Sequence, residues 1–140
     1  MQYAPVNGRI IGARFQARQG KLTIIQCYAP TNESDDEEKT DLYLALQSEI
    51  ENVPNYDVTI VMGDLIAKVG NDNTGNERGM GKYDCGNIND NDLVDMCGTN
   101  NLVLGGTIFP HREIHKLTWI SPIGRDKNQI YHIIINEKWR

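Results

Sequence analysis

The apolar positions along this chain change period several times, and each change marks an element. Residues 9–16, RIIGARFQ, and 21–28, KLTIIQCY, are short strand-like runs joined by ARQG, with Gly20 at the turn. That pattern predicts a β-hairpin. Ala29-Pro30-Thr31-Asn32 then breaks the strand. Beyond it the period lengthens: Leu42, Leu46, Ile50 and Val53 fall on one face at helical spacing, and Pro54 stops the run. Ser34-Asp35-Asp36-Glu37 has the form of a capping box, and acids favour a helix N-terminus. The prediction is an amphipathic helix over residues 34–53, with Asp35, Asp36 and Glu38 in water. The next run, DVTIVMGD at 57–64, reads as a strand, so a strand–helix–strand unit covers about residues 21–64.

Residues 70–91 are polar, rich in Gly, Asn and Asp, and without periodicity, which predicts a long loop and the least ordered internal stretch. DLVDMCGTNNLVL predicts a short helix, weakened by Gly98, leading into a strand near 102–104. KLTWIS, SPIGRD and NQIYHIIIN read as strand, turn and strand, the last apolar enough to be central. No internal repeat or linker interrupts the 140 residues. The expectation is one domain over 1–140, of α/β or layered α+β class, with a sheet partly covered by helices.

Composition narrows this only a little. Hydrophobic residues at 39% and charged residues at 24% suit a globular chain. No apolar run reaches the roughly 18–20 residues of a membrane span. The opening MQYAPVNGRIIGARF is broken by Arg9, Gly12 and Arg14, unlike a signal peptide. The expected location is intracellular, with nucleus and cytoplasm both open. Cys27, Cys85 and Cys97 have no short metal spacing and are expected to be free thiols. The net charge of −5 is unevenly spread: +4 over residues 1–32, −7 over 33–51, −5 over 52–110 and +3 over 111–140. The acidity belongs mainly to the helix start, so whole-chain charge does not exclude an anionic partner.

Most candidate motifs fail on spacing. HREIH places His111 and His115 four apart, but Glu113 is not where HExxH needs it and no third ligand is evident nearby. NINDNDLVD alternates Asn and Asp like a calcium loop but lacks the glycine at the sixth position. What remains is a set of polar residues at strand ends: Tyr28, Asp64, Thr118 with Trp119, and Asn128. In open α/β sheets, ligands gather at the carboxyl ends of strands.

QCYAPTN, VMGDLIAKVG and GGTIFPHREIHKLTWISPIGRDKNQIYHIIINEKWR closely resemble the endonuclease domain of non-LTR retrotransposons and of the related craniofacial development protein 2 family, in the endonuclease/exonuclease/phosphatase superfamily. The resemblance runs from about residue 8 to 140. It implies a four-layer α/β sandwich of two mixed sheets flanked by helices, here a partial one truncated at both ends. It also implies magnesium-assisted phosphodiester hydrolysis acting on DNA, with no membrane and no identifiable partner protein. Tyr28 then resembles the tyrosine that contacts the scissile phosphate, and Asp64 the aspartate that orients or deprotonates water. Thr118 and Asn128 resemble residues that line the substrate.

Two positions depart from the family pattern. Gly-Asp-Leu-Asn becomes Gly-Asp-Leu-Ile at Ile66, and NQIDH becomes NQIYH at Tyr131. Asn hydrogen-bonds and Ile does not, and losing one transition-state contact costs about 100- to 1,000-fold in rate. Losing a carboxylate that orients a histidine costs about 10⁴-fold in a serine protease. The resemblance also implies a metal-binding Glu before the matched region and a Ser-Asp-His segment after it, neither of them in these 140 residues. The expectation is a retroelement-derived endonuclease-like domain, catalytically impaired. The alternative is a repurposed binding or scaffold module that keeps the fold.

Overall fold

The computed structural model describes residues 2–31, 35–65, 67, 69–83, 91–125 and 127–139. A six-stranded mixed sheet is built from β1 (Gln2–Pro5), β2 (Ile10–Ala17), β3 (Gly20–Tyr28), β4 (Val58–Asp64), β5 (Leu102–Leu104) and β8 (Tyr131–Asn136), in the order β1-β2-β3-β4-β8-β5. The hairpin forms as expected, with Ala17 opposite Gly20. β3 and β4 run parallel, which obliges a crossover, and helix α1 (Asp36–Asn52) supplies it. β8 lies between β4 and β5 and pairs antiparallel with both, so the most apolar run of the sequence is an interior strand. A separate two-stranded ribbon joins β6 (Trp119–Ile120) to β7 (Lys127–Asn128). The strand expected from Lys116 is therefore confined to two residues.

Alternation along the strands gives the sheet two different faces. On the inner face, Ile25 of β3, Val61 of β4, Ile134 of β8, and Leu102 and Leu104 of β5 pack against the helices. α1 contributes Leu42, Leu46 and Ile50, the three positions its periodicity predicts. Its start differs by one residue from expectation: Asp35 is the N-cap, and its Oδ1 accepts from the Glu38 amide at 2.9 Å. Ser34 lies outside the described residues. Helix α2 (Asn91–Thr99) buries Leu93, Val94 and Cys97. Just beyond it Asn101 has a φ of 54°, the left-handed conformation that asparagine tolerates. A reciprocal amide pair ties the helices: Gln47 Nε2 donates to Asn100 Oδ1 at 3.1 Å, and Asn100 Nδ2 donates to Gln47 Oε1 at 2.6 Å.

The described part of the polar stretch, residues 70–83, makes contacts that its composition does not suggest. Met80 is buried and bridges to Leu104, extending the sheet past β5. Gly81 donates to Thr107 Oγ1 at 2.7 Å and Tyr83 to the Thr107 carbonyl at 3.0 Å, holding residues 80–83 against the turn Gly105–Thr107. A side chain on Gly81 would put its Cβ 2.2 Å from the Thr107 oxygen, so the close approach requires glycine. Residues 84–90, with Cys85 and the first four residues of the calcium-like motif, lie outside the described residues.

One ion pair sits at the end of the sheet where β4 begins. Asp57 is fully buried and accepts from Arg14 Nε at 2.7 Å, Arg14 Nη2 at 2.9 Å and Thr23 Oγ1 at 2.8 Å. The two-pronged guanidinium contact is the main cause holding the Asp57 carboxyl below its ordinary range, with desolvation opposing it and Thr23 assisting. A carboxyl depressed in the folded state stabilises above its unfolded pKa of about 3.9, and that stabilisation is lost as pH falls through the lower folded value. Asp57→Asn is therefore expected to lower the urea midpoint at pH 7. The gap from the parent chain should close below about pH 4. A gap that stays constant from about pH 7 to pH 3 would show that charge at Asp57 contributes nothing.

Candidate active site at the strand ends

Tyr28, Asp64 and Tyr131 occupy one row of the sheet. Tyr28 at the end of β3 is the register partner of Asp64 at the end of β4, and Asp64 is in turn the partner of Tyr131 at the start of β8. Residues in one register row share a face, so all three side chains lie on the outer face at one rim. The strands continue bonding past the row: the Ala29 amide donates to the Asp64 carbonyl at 2.7 Å, and the Leu65 amide to the Ile130 carbonyl at 3.0 Å. The row is thus held by main-chain bonds on both sides. Tyr28 is 53% exposed and Tyr131 51%, so both rings are open to a ligand, while Asp64 is half-buried between them.

Thr118 joins this rim. Its Oγ1 accepts from the Ile130 amide at 2.9 Å and from the Tyr131 amide at 3.3 Å, fixing the approach of the chain to the β6–β7 ribbon. Asn128 is in β7, paired with Trp119 across that ribbon, and belongs to the adjoining element. Ile66 lies outside the described residues.

Gly63 makes the row possible. Its φ is +143°, and a Cβ there would come within 1.9 Å of the Cys27 carbonyl oxygen on β3. Only glycine lets β4 approach β3 this closely, immediately before Asp64. Cys27, register partner of Gly63, points to the inner face, where burial first and the Asp64 charge second push its thiol up to about 12. Burial likewise pushes Cys97 up to about 12, so neither described cysteine offers a thiolate near neutral pH.

His132 is the residue that motif reading passed over. It follows Tyr131 in sequence but faces the inner side of the sheet, only 3% exposed, with Nε2 2.8 Å from the Ala67 carbonyl. A carbonyl only accepts, so the contact assigns the proton to Nε2. This histidine secures the loop following Asp64 from beneath, and it cannot reach a ligand at the outer rim. Strict alternation in YHIII was the available signal.

The donor set does not fit a metal by itself. Asp64 is the single carboxylate in the row, and among the described residues no group of three His, Cys, Asp or Glu side chains could hold an ion. His115 ends a single 3₁₀ turn, Glu113–His115, so HREIH does not present its two histidines on one α-helical face. The row offers instead one acceptor carboxylate flanked by two phenols that donate and accept.

No protein-family model matches the chain. It is 37% identical over 134 residues to craniofacial development protein 2 of Tragulus javanicus, and equally to that of Bos taurus, a match covering 96% of this chain. The chain spans 23% of the length of these relatives. Among solved structures, a humanized D. rerio TDP2 with 14 mutations superposes at a TM-score of 0.58 with 14% identity, over 91% of this chain and 44% of that one. D. rerio TDP2 complexed with a single-strand DNA product gives 0.55 with 12% identity, over 91% of this chain and 46% of that one. No described helix is long and apolar enough to cross a membrane.

Proposed function

This chain belongs to the craniofacial development protein 2 family and has the endonuclease/exonuclease/phosphatase fold of TDP2; from that premise we propose that it is an endonuclease-like phosphodiesterase domain that engages the backbone of DNA at the Tyr28–Asp64–Tyr131 rim, with its hydrolytic chemistry impaired. The observation that carries this reading is the register row itself, which aligns a phenol, a carboxylate and a second phenol on adjacent strand ends. In this reading Tyr28 donates to a phosphate oxygen, and Asp64 accepts a proton from the attacking water. Thr118 holds the ribbon that forms the wall beside them. The chemistry expected of the family calls for magnesium, and the described residues do not assemble a site for it. Tyr131 is a phenol where a carboxylate would orient a histidine, and the adjacent His132 faces away.

The single-strand DNA product bound by D. rerio TDP2 supports nucleic acid as the ligand class. A fluorescein-labelled single-stranded oligonucleotide, followed by anisotropy at fixed low salt, is the test. Binding should fall as salt rises, because phosphate contacts release counterions. Tyr28→Ala should weaken it about tenfold, the value of one hydrogen bond to a charged oxygen. Equal affinity of the parent chain and Tyr28→Ala would reject the rim as the contact.

A further inference from the structure

A lysine lies buried two residues before the hydroxyl that anchors the rim. Lys116 follows the 3₁₀ turn Glu113–His115 and is only 9% exposed. Lysine is rarely so enclosed without a partner, because its charge loses water and gains nothing in return. The other buried acid and base among the described residues both have partners: Asp57 accepts from Arg14 and Thr23, and His132 bonds the Ala67 carbonyl. Of the three, Lys116 alone has no hydrogen bond and no ion pair among the described residues. Its ammonium is not sealed. Gln129 Oε1 is the one side-chain polar atom among the described residues that is both unpartnered and shut off from solvent, so Lys116 Nζ, also unpartnered, reaches the surface. The hydrocarbon stem is thus enclosed and the charged tip emerges, held in place without a counter-charge.

We propose that Lys116 donates to a phosphate oxygen of the nucleic-acid strand engaged at the rim, an inference that rests on reading that rim as a contact for the DNA backbone. The row itself carries no positive charge. It sets the Asp64 carboxylate between two phenols, so an incoming phosphodiester meets a like charge and no counter-charge. A cation beside the row reverses the sign of that encounter. Thr118 Oγ1 accepts from the Tyr131 amide at 3.3 Å. Two residues of chain span at most about 7 Å, which keeps the Lys116 backbone within that distance of the Thr118 backbone. Residues 111–140, Lys116 among them, carry a net charge of +3. Arg125 and Lys127 share that charge but stand exposed, with full rotamer freedom and hydration to lose. Lys116 has already lost much of both, so a phosphate that meets it imposes less further ordering. An ammonium is a compact charge with three donors and reads no base edge, so it contributes affinity and not sequence preference.

Lys116→Met keeps the enclosed stem and removes the charge. In the anisotropy titration with a single-stranded oligonucleotide it should weaken binding about tenfold at low salt, the value of one hydrogen bond to a charged group. The slope of log affinity against log salt should flatten by about 0.7, one phosphate contact on a single strand. The loss should be the same for oligonucleotides of different sequence. Arg18→Met removes an equal charge in the hairpin turn, at the opposite end of β3 from Tyr28, and should change neither affinity nor slope. The melting temperature of Lys116→Met should not fall, since no partner within the chain is lost. On the unaltered chain, the oligonucleotide should shield Lys116 from acetylation by acetic anhydride, read by peptide mass, and leave Lys21 at the hairpin end as reactive as before. A Lys116→Met chain that melts lower with an unchanged salt slope would overturn the proposal, as would equal acetylation of Lys116 with and without the oligonucleotide. If Tyr28→Ala weakens binding and Lys116→Met does not, Lys116 is excluded while the rim stands. If the parent chain shows no salt-dependent binding at all, both fall.

Discussion

Gly63→Ala is expected to cost on the order of 4 kcal/mol of stability, combining the strain of a positive φ on an L-residue with the overlap of a rigid contact. The added methyl group would meet the Cys27 carbonyl at 1.9 Å, and that oxygen belongs to the backbone of the neighbouring strand, so no side-chain rotation relieves it. The strands must move apart where β3 and β4 carry Tyr28 and Asp64. For a chain of this size about 4 °C of melting temperature goes with each kcal/mol, so thermal unfolding should shift down by about 15 °C. Gly12→Ala is the control, because a methyl group added there has nothing within 4 Å and its backbone is ordinary. It should stay within about 0.5 kcal/mol of the parent. Equal melting of Gly63→Ala and Gly12→Ala would show that β4 can retreat from β3 without loss, and the close approach would then say nothing about the site.

The sheet and its first crossover were legible because periodicity alone decides them. Leu42, Leu46 and Ile50 could bury together only on a helix, and a run as apolar as HIIIN needs neighbours on both edges, which an interior strand provides. The helix start was misplaced by one residue because Ser34, Asp35 and Asp36 all have capping oxygens, and nothing local decides which amide each will meet. The polar stretch was harder. Met80 looks isolated in sequence, and its burial comes with the bridge to Leu104 and the neighbouring bond to Thr107, contacts that composition cannot express. The rim shows the same division. Family resemblance grouped Tyr28 and Asp64 at adjacent strand ends on one rim with Tyr131 close by, but their exact row depends on the registers of three strands, through one parallel and one antiparallel pairing that leave no local signal. The inward turn of His132 was available from alternation, yet motif spacing treats neighbours as companions when a strand sends them to opposite faces.

Ile66→Asn combined with Tyr131→Asp, made in the 140-residue chain, is expected to leave nicking of supercoiled plasmid at background in magnesium. Restoring two family residues repairs hydrogen bonding without repairing the donor set. Tyr131→Asp would place a carboxylate in the register position beside Asp64, and two adjacent like charges discourage each other's ionisation. The histidine next to it is buried on the far face and bonded to Ala67, so the new carboxylate has no imidazole there to orient. A fusion that adds the Glu-bearing and Ser-Asp-His-bearing segments expected of the family should give magnesium-dependent nicking with the same pair of changes. Asp64→Ala in that fusion should then reduce the rate about 1,000-fold, the scale of losing one group that acts on the transition state. The parent fusion, retaining Ile66 and Tyr131, should fall between the fusion carrying both changes and the background of the short double variant, which separates the cost of the two replacements from that of the absent ligands. Magnesium-dependent cleavage by the short double variant that disappears with Asp64→Ala would show that the rim already carries a complete catalytic set.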